Sequence, residues 1–309
     1  MAVRSVEASG QRRGADAVSR LATISIVVAF VVMGLMYAAY VLTGSVALYS
    51  DALESIVNVV TAVAALIAVR VAVRPADRRH QFGHHKAEYF SAGLEGALIL
   101  IAALLILHQA HDAWTNPRAL TSPAAGLAVN ALAGVLNGGW AWYLISRGNA
   151  LRSPAIVADG WHLFADVGTS VGVIAGLLLA LMTGWAFLDP LMAAIVAIYI
   201  LWVGWRITSQ SMSGLMDVAV EGEMLARIRD VIASNASGAL QIHDLRTRMA
   251  GRTTFIEFHL VVPGAMPVTE AHDICDRLED ALGTEIQGAE VLIHVEPEGE
   301  AKAKGALAL

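Results

Sequence analysis

From Pro154 to Met182 the chain reads PAIVADGWHLFADVGTSVGVIAGLLLALM, an apolar run whose ionisable side chains are Asp159, His162 and Asp166. Ser153 precedes Pro154, and a cap residue followed by proline at the first helical position is a typical helix start. At about 1.5 Å per residue, such a helix is long enough to cross the ~30 Å hydrocarbon core of a bilayer. The run therefore predicts a transmembrane helix that carries ionisable groups inside the membrane.

Five further apolar runs have the length of a membrane span, so the sequence predicts a polytopic α-helical membrane protein with six spans. Of the 309 residues, 56% are apolar and 16% are charged, which excludes a disordered chain and a disulfide-stapled secreted domain. With Pro154–Met182 as span five, the other spans in chain order are Leu21–Leu42, Ser45–Val73, Ala87–His111, Ser122–Ile145 and Pro190–Ile207.

The basic residues outside the spans predict the orientation of the chain in the membrane. They concentrate before span one, between spans two and three, and between spans four and five, whereas the other side carries only Arg118. The positive-inside rule then places both termini in the cytoplasm. We expect a protein of the bacterial cytoplasmic (inner) membrane whose first apolar run is retained as a span.

Beyond Met216 the pattern changes to that of a compact α+β domain with the order αββαβ. We predict a cytoplasmic segment over residues 1–20, a transmembrane domain over 21–210, a cytoplasmic domain over 211–300 and a flexible tail over 301–309. The predicted elements of the cytoplasmic domain are helices at Met224–Ala236 and Val268–Leu282, and strands at Ile242–Met249, Thr253–Val262 and Val291–Glu296.

Charge and motifs exclude several classes of function. The net charge is −6 and there is no run of basic residues, which argues against a nucleic-acid partner. The chain has no phosphate-binding motif of the kind that nucleotide-driven pumps carry, so we expect no nucleotide. The single Cys275 cannot form an internal disulfide.

Ionisable side chains inside a membrane span mark a functional site by default. In spans two and five, polar donors that include these groups and Asn58 recur every three or four residues, so each set lies on one helix face. Two antiparallel helices bring four of these donors to one depth, which suits a four-coordinate divalent cation. The predicted transport site is Glu54, Asn58, His162 and Asp166, with Asp51 and Asp159 one turn away, placed to attract or relay ions.

The donor set favours a transition metal. Imidazole with carboxylates suits Zn²⁺, Fe²⁺, Co²⁺, Ni²⁺ or Mn²⁺ rather than Ca²⁺ or Mg²⁺, which prefer all-oxygen sites. Metal binding requires a neutral imidazole and ionised carboxylates, so metal and protons compete, which is the physical basis of antiport. Two alternatives stay open from these residues alone, namely a polar cluster that only tightens helix packing and a proton relay without metal.

Three segments carry a resemblance to a known family. They read GSVALYSDALE over residues 44–54, FGHHKAE over residues 82–88 and DGWHLFAD over residues 159–166. With these motifs, the chain resembles the cation diffusion facilitator family over nearly its whole length. The resemblance implies a homodimeric, proton-coupled exporter of divalent metal with a metallochaperone-like cytoplasmic domain. It also implies the four-residue transport site above. Glu54 stands where zinc-type members usually have His or Asp, and Asn58 stands where they usually have Asp. These two departures bear on which metal the site selects.

The loop between spans two and three holds a second candidate site, because Asp77, His80 and His84 are close enough in sequence to converge on one metal. Solvated side chains are the alternative, and the family carries a cytoplasmic loop site at matching positions. The resemblance also implies an ion pair between Lys86 and Asp217 that ties the membrane helices to the cytoplasmic domain. A plain surface pair is the alternative, and it contributes little.

Four histidines of the cytoplasmic domain avoid its apolar strand and helix faces, which suggests metal ligation, with solvated polar faces as the alternative. The resemblance implies that they form the family's regulatory binuclear site, which senses metal and stabilises the dimer. The residues are His243, His259, His272 and His294, with Glu296 where the family often has Asp.

Three functions follow from these patterns. The leading one is proton-coupled efflux of a divalent transition metal, most simply Zn²⁺, by alternating access about the intramembrane site. The second is a membrane metal sensor or scaffold that does not transport. The third is an intramembrane metalloenzyme, which is disfavoured because the chain lacks an H-E-x-x-H motif and four protein donors leave no open metal position. We therefore expect a transporter and not an enzyme.

Overall fold

A computed structural model describes residues 2–43, 46–115, 124–185, 187–302 and 307–308. The chain divides into two compact units. One is a bundle of long helices over residues 15–212. The other takes in the residues up to Gly14 together with those from Ser213 onward, which contain a small mixed sheet.

Six long helices precede the sheet. Their bounds are α1 at Ala2–Thr43, α2 at Val46–Ala72, α3 at Ala87–Thr115, α4 at Ala124–Ala150, α5 at Pro154–Thr183 and α6 at Leu188–Leu215. Within the described residues, Asp16–Ala38, Ala87–Asp112 and Pro190–Leu215 are long and apolar enough by themselves to cross a membrane. The lengths of α2, α4 and α5, from 27 to 30 residues, agree with about six spans in all.

Helix α1 is much longer than its predicted span. It begins at Ala2, whereas hydropathy places the start of the apolar run at Leu21. No proline lies between these points, and the polar segment contains several good helix formers, so nothing stops the helix at the edge of the apolar run. Hydropathy marks where a helix enters the membrane and not where the helix ends.

Helices α4 and α5 approach each other closely at a glycine. A Cβ added at Gly160 would lie 2.7 Å from Cγ1 of Ile145 and 3.1 Å from the carbonyl oxygen of Ala141. The absence of a side chain therefore lets α4 pack against the segment of α5 that holds Asp159 and His162. The buried residues around this contact include Leu144 and Ile156.

The second unit confirms the αββαβ order. Helix α7 runs over Gly222–Asn235 and α8 over Val268–Glu285, and the strands are β1 at Gln241–Ala250, β2 at Thr253–Val262 and β3 at Ala289–Pro297. Strand β2 pairs antiparallel with β1 and parallel with β3. Both helices pack their buried faces on the sheet through a core that includes Ile228, Phe258 and Leu278.

The end of the chain differs from the predicted flexible tail. Leu307–Ala308 forms a short strand β4 that pairs antiparallel with β1, so the sheet order is β3-β2-β1-β4. The Gln241 side chain also exchanges two hydrogen bonds with the backbone of Lys302, at 2.9 and 2.8 Å. The edge strand β1 has backbone N–H and C=O groups that a short segment can pair with. The composition of the tail does not predict this pairing.

Candidate metal centre

Three of the four predicted transport-site residues lie in contact between α2 and α5. The Asn58 amide Nδ2 donates to Asp166 Oδ2 at 2.6 Å, and His162 Nε2 lies 2.9 Å from Asn58 Oδ1. Asn58 and His162 are 7% and 5% exposed. Asn58 therefore bridges the imidazole and the carboxylate. One amide, one imidazole and one carboxylate at this separation are a donor set that suits a transition metal.

The remaining predicted donors on α2 have no described side chain. The backbone of Glu54 lies in α2 one turn before Asn58, and that of Asp51 a further turn before Glu54. Both side chains lie outside the described residues, so Glu54 as a fourth ligand and Asp51 as a relay stay predictions.

Asp159 belongs to a second buried network that joins three helices. Ser25 of α1 donates its hydroxyl to Asp159 Oδ2 at 2.6 Å, and Trp140 of α4 donates its indole N–H to the Ser25 oxygen at 2.9 Å. Asp159 is 2% exposed. Because it lies three residues before His162, this carboxylate is held about 4.5 Å along α5 from the imidazole level.

Helix α3 contributes two buried carboxyl groups that the sequence analysis missed. Glu88 accepts a hydrogen bond from the hydroxyl of Ser153, the residue before α5. Glu95 is 0% exposed, and Ser91 donates to its Oε1 at 3.4 Å. The sequence carries a pattern that could have identified them, since Glu88, Ser91 and Glu95 recur at three- and four-residue spacing on one face of span three.

The loop residues Asp77, His80 and His84 form a compact cluster. Each offers one ligand atom, and these atoms all lie within 4.8 Å of one another. Asp77 Oδ1 accepts the backbone N–H groups of His80 and Arg79, both at 2.7 Å, and its Oδ2 lies 3.5 Å from His84 Nε2. These N–H donors hold the pKa of Asp77 below its usual value, so the carboxylate is preset in its ligating form.

A second cluster lies on the sheet of the second unit, where His243 pairs with His259 across β1 and β2. Glu296 Oε1 lies 2.8 Å from His259 Nδ1, and Oε2 lies 3.2 Å from His243 Nε2. Nε2 of His243, Nδ1 of His259 and Oε2 of Glu296 are buried and have no hydrogen-bond partner in the described part of the chain. Orphaned nitrogen and oxygen donors facing one another fit a bound cation.

The other two predicted histidines are not members of this compact group, although His294 borders it. His294 is the neighbour of His259 across β2 and β3, and its Nε2 lies 3.7 Å from Glu296 Oε1. His272 lies on α8 with its Nε2 3.7 Å from Asp276 Oδ1 and an exposed side chain. In the described part of the chain the compact group is thus His243, His259 and Glu296. The larger ligand set stays a prediction.

Lys86 and Asp217 belong to different units. Asp217 has a φ of 60° and lies 3.2 Å from Arg248, measured between Oδ1 and Nη1. The Arg248 guanidinium also stacks 3.8 Å over the ring of Phe255. Asp217 is therefore held to β1, and its pairing with Lys86 stays a prediction.

Comparisons with known proteins match the chain in two parts. Residues 22–216 match the family model of the cation efflux transmembrane domain, and residues 220–298 match that of the cation efflux protein cytoplasmic domain. An uncharacterised transporter of Synechocystis is 44% identical over 276 residues, covering 89% of each chain. The cation-efflux pump FieF of Shewanella oneidensis is 31% identical over 275 residues, covering 88% of this chain and 92% of that one.

Among solved structures, one of the candidate zinc transporter CzrB in its zinc form is 51% identical. It covers 27% of this chain and 94% of that chain, with a TM-score of 0.26.

Proposed function

Because this chain belongs to the cation efflux family, which is the cation diffusion facilitator family, we propose that it exports a divalent transition metal in exchange for protons. Membership confirms the resemblance found in the sequence. It makes the chain an integral membrane protein for metal cation efflux, and a transporter rather than an enzyme.

The contact of Asn58 with both His162 and Asp166 carries the proposal. These three side chains come from two helices and are joined by hydrogen-bond distances of 2.6 Å (Asn58 to Asp166) and 2.9 Å (Asn58 to His162). Hydrogen bonds of this kind also tighten helix packing, and the donor types are what favour a metal. Here an imidazole nitrogen and a carboxylate meet at one amide, so a cation that replaced these hydrogen bonds would find the imidazole, the carboxylate and the amide oxygen already close together.

Proton exchange follows from the chemistry of the same donors. A metal binds the neutral imidazole of His162 and the ionised carboxylate of Asp166, so loading metal releases protons and protonation expels metal. Alternating access then converts this competition into antiport. The counter-ion is H⁺, with no nucleotide involved.

Zn²⁺ is the proposed substrate, because it accepts nitrogen and oxygen donors in four-coordinate sites. Glu54 is the proposed fourth donor. The same nitrogen and oxygen donors also suit Fe²⁺, Co²⁺, Ni²⁺ and Mn²⁺, so these ions are expected as competing substrates.

The proposed working unit is a homodimer in the bacterial inner membrane with both termini in the cytoplasm. The positive-inside distribution of the loop residues supports the orientation. The family model of the cytoplasmic domain is named for a dimer, which supports the assembly. The cluster of His243, His259 and Glu296 would then sense cytoplasmic metal, as would the loop cluster around Asp77.

Asp166→Ala tests the proposal in proteoliposomes with an imposed Zn²⁺ gradient and an internal pH dye. We expect Zn²⁺-driven proton flux to be lost while the protein keeps its elution volume on size exclusion. The matched control is Asp112→Ala, an exposed carboxylate at the end of α3, which should retain the wild-type flux. Undiminished flux in Asp166→Ala would contradict the site, and Zn²⁺ binding by the wild type without any flux would favour the sensor.

A further inference from the structure

Glu95 is a buried carboxyl group that the proposed transport site does not use. It lies on α3 with an exposed fraction of 0%. Ser91 donates to its Oε1 at 3.4 Å, and its buried Oε2 has no hydrogen-bond partner in the part of the chain that the structure describes. A buried carboxylate oxygen without a donor costs free energy, so this atom needs an explanation.

The start of α3 is level with the start of α5, because Ser153 donates to Glu88. From this contact Glu95 lies seven residues along α3 and Asp159 six residues along α5, which corresponds to about 10.5 and 9 Å of helix rise. The face of α3 that carries Glu95 packs against α5, since Ala92 and Ile99 share one buried cluster with Ala158 of α5. Glu95 and Asp159 therefore lie at the same level of the bundle.

The two carboxyl groups have complementary surroundings. Ser25 donates to Asp159 Oδ2, and Trp140 fixes the Ser25 hydroxyl, so Asp159 is oriented from the side of α1 and α4. Glu95 approaches from α3 with one oxygen unsatisfied. Neither group makes an ion pair with Lys or Arg within the residues that the structure describes. Two buried carboxylates at one level without a Lys or Arg partner repel each other unless a proton or a metal cation lies between them, and this site can hold either.

We propose that Glu95 and Asp159 form a second intramembrane subsite for a divalent cation, one helical turn before His162 on the side of Ser153. Its donors are oxygens only, so it binds hard cations such as Mn²⁺ more readily than the nitrogen-containing transport site does. The subsite rests on the proposed transport function, since it lies where an ion would pause between the loop end of α5 and His162. The two sites are about 4.5 Å apart along the helix, so their occupants repel and are held in turn.

The experiment counts Mn²⁺ bound to the full-length protein in detergent by electron paramagnetic resonance. The reference protein carries Asp77→Ala, His243→Ala and Asp166→Ala, which remove one ligand from each of the other three candidate sites. We expect this reference to retain one Mn²⁺ per protomer. Adding Glu95→Gln should remove that ion. Adding Glu88→Gln, a matched buried glutamate on the same helix, should leave it bound.

A Mn²⁺ count that Glu95→Gln leaves unchanged would overturn the subsite, as would a reference protein that binds none. Glu95→Asp keeps the charge and should bind Mn²⁺ with reduced affinity, which separates loss of a ligand from loss of folding when elution volumes match. The proposed function fails separately, if Asp166→Ala alone leaves Zn²⁺ affinity and flux at wild-type values.

Discussion

The substitution Asn58→Asp distinguishes a metal centre from a packing cluster, because only the metal-centre hypothesis predicts a gain in Zn²⁺ affinity. Asn58 donates to Asp166 at 2.6 Å and contacts His162 at 2.9 Å. An aspartate at this position loses the donor and sets a second carboxylate against Asp166. In a packing cluster this change is purely destabilising. At a metal centre it adds a charged ligand that the cation attracts.

The magnitude follows from Coulomb's law. Two unit charges about 4 Å apart interact by about 4 kcal/mol at an effective dielectric constant of about 20, and a divalent cation doubles this attraction to about 8 kcal/mol. In the metal-free variant, a proton shared by the two carboxylates relieves their repulsion. This proton must leave when the metal binds, and its loss offsets about half of the added attraction. Dehydration reduces the remainder, so we expect a Kd for Zn²⁺ at least about tenfold lower, or about 1.4 kcal/mol.

Isothermal titration calorimetry of full-length protein in detergent measures this Kd, with Asp77→Ala and His243→Ala present throughout to remove the other clusters. The Kd of Asn58→Asp should also depend more steeply on pH than that of the parent, since one more proton is displaced. Asn137→Asp is the control, because Asn137 is likewise buried but lies on α4. Affinity that is unchanged or weakened in Asn58→Asp, as in the control, would refute the metal centre.

Three further outcomes are expected. His162→Asp replaces imidazole with a hard oxygen donor and should raise the ratio of Mn²⁺ to Zn²⁺ uptake in proteoliposomes; an unchanged ratio argues against a selectivity role. Gly160→Ala places a Cβ 2.7 Å from Ile145 and should cost about 1–3 kcal/mol, seen as a lower Tm in detergent, whereas Gly139→Ala meets open space and should not lower it; equal Tm values would contradict the close helix contact. Deletion of the residues after Met216 should weaken activation by metal yet leave Zn²⁺ binding to the membrane unit intact, and complete loss of that binding would speak against two separable functions.

Local patterns predicted the elements well where one segment holds all the information. The predicted bounds of β2 agree with the structure at Thr253 and Val262, and α5 begins at Pro154. Periodicity and helix-start residues act within a few positions of the chain, so they can be read without knowing the neighbours. The start of α1 at Ala2 and the strand at Leu307–Ala308 were missed, because polarity alone gives no sign of where such elements stop or pair.

The candidate site divides in the same way. Helical spacing groups Asn58 with Glu54, and His162 with Asp166, and the depth of the two pairs in antiparallel helices predicts that they meet, as the resemblance also implies. The structure joins Asn58 to His162 and Asp166, and their role as ligands stays a prediction. Glu95 is not predicted as a ligand from the sequence. Its candidacy depends on its level relative to Asp159 and on its unsatisfied oxygen, and neither follows from the sequence of span three alone.

Composition and spacing along one chain are enough to predict six apolar spans, an αββαβ domain and the helix and strand faces that carry donors. They do not predict that Ser25, Trp140 and Asp159 meet, because these residues come from three helices far apart in sequence. Which buried polar groups find partners is fixed by helix packing, and packing is a property of the assembled bundle.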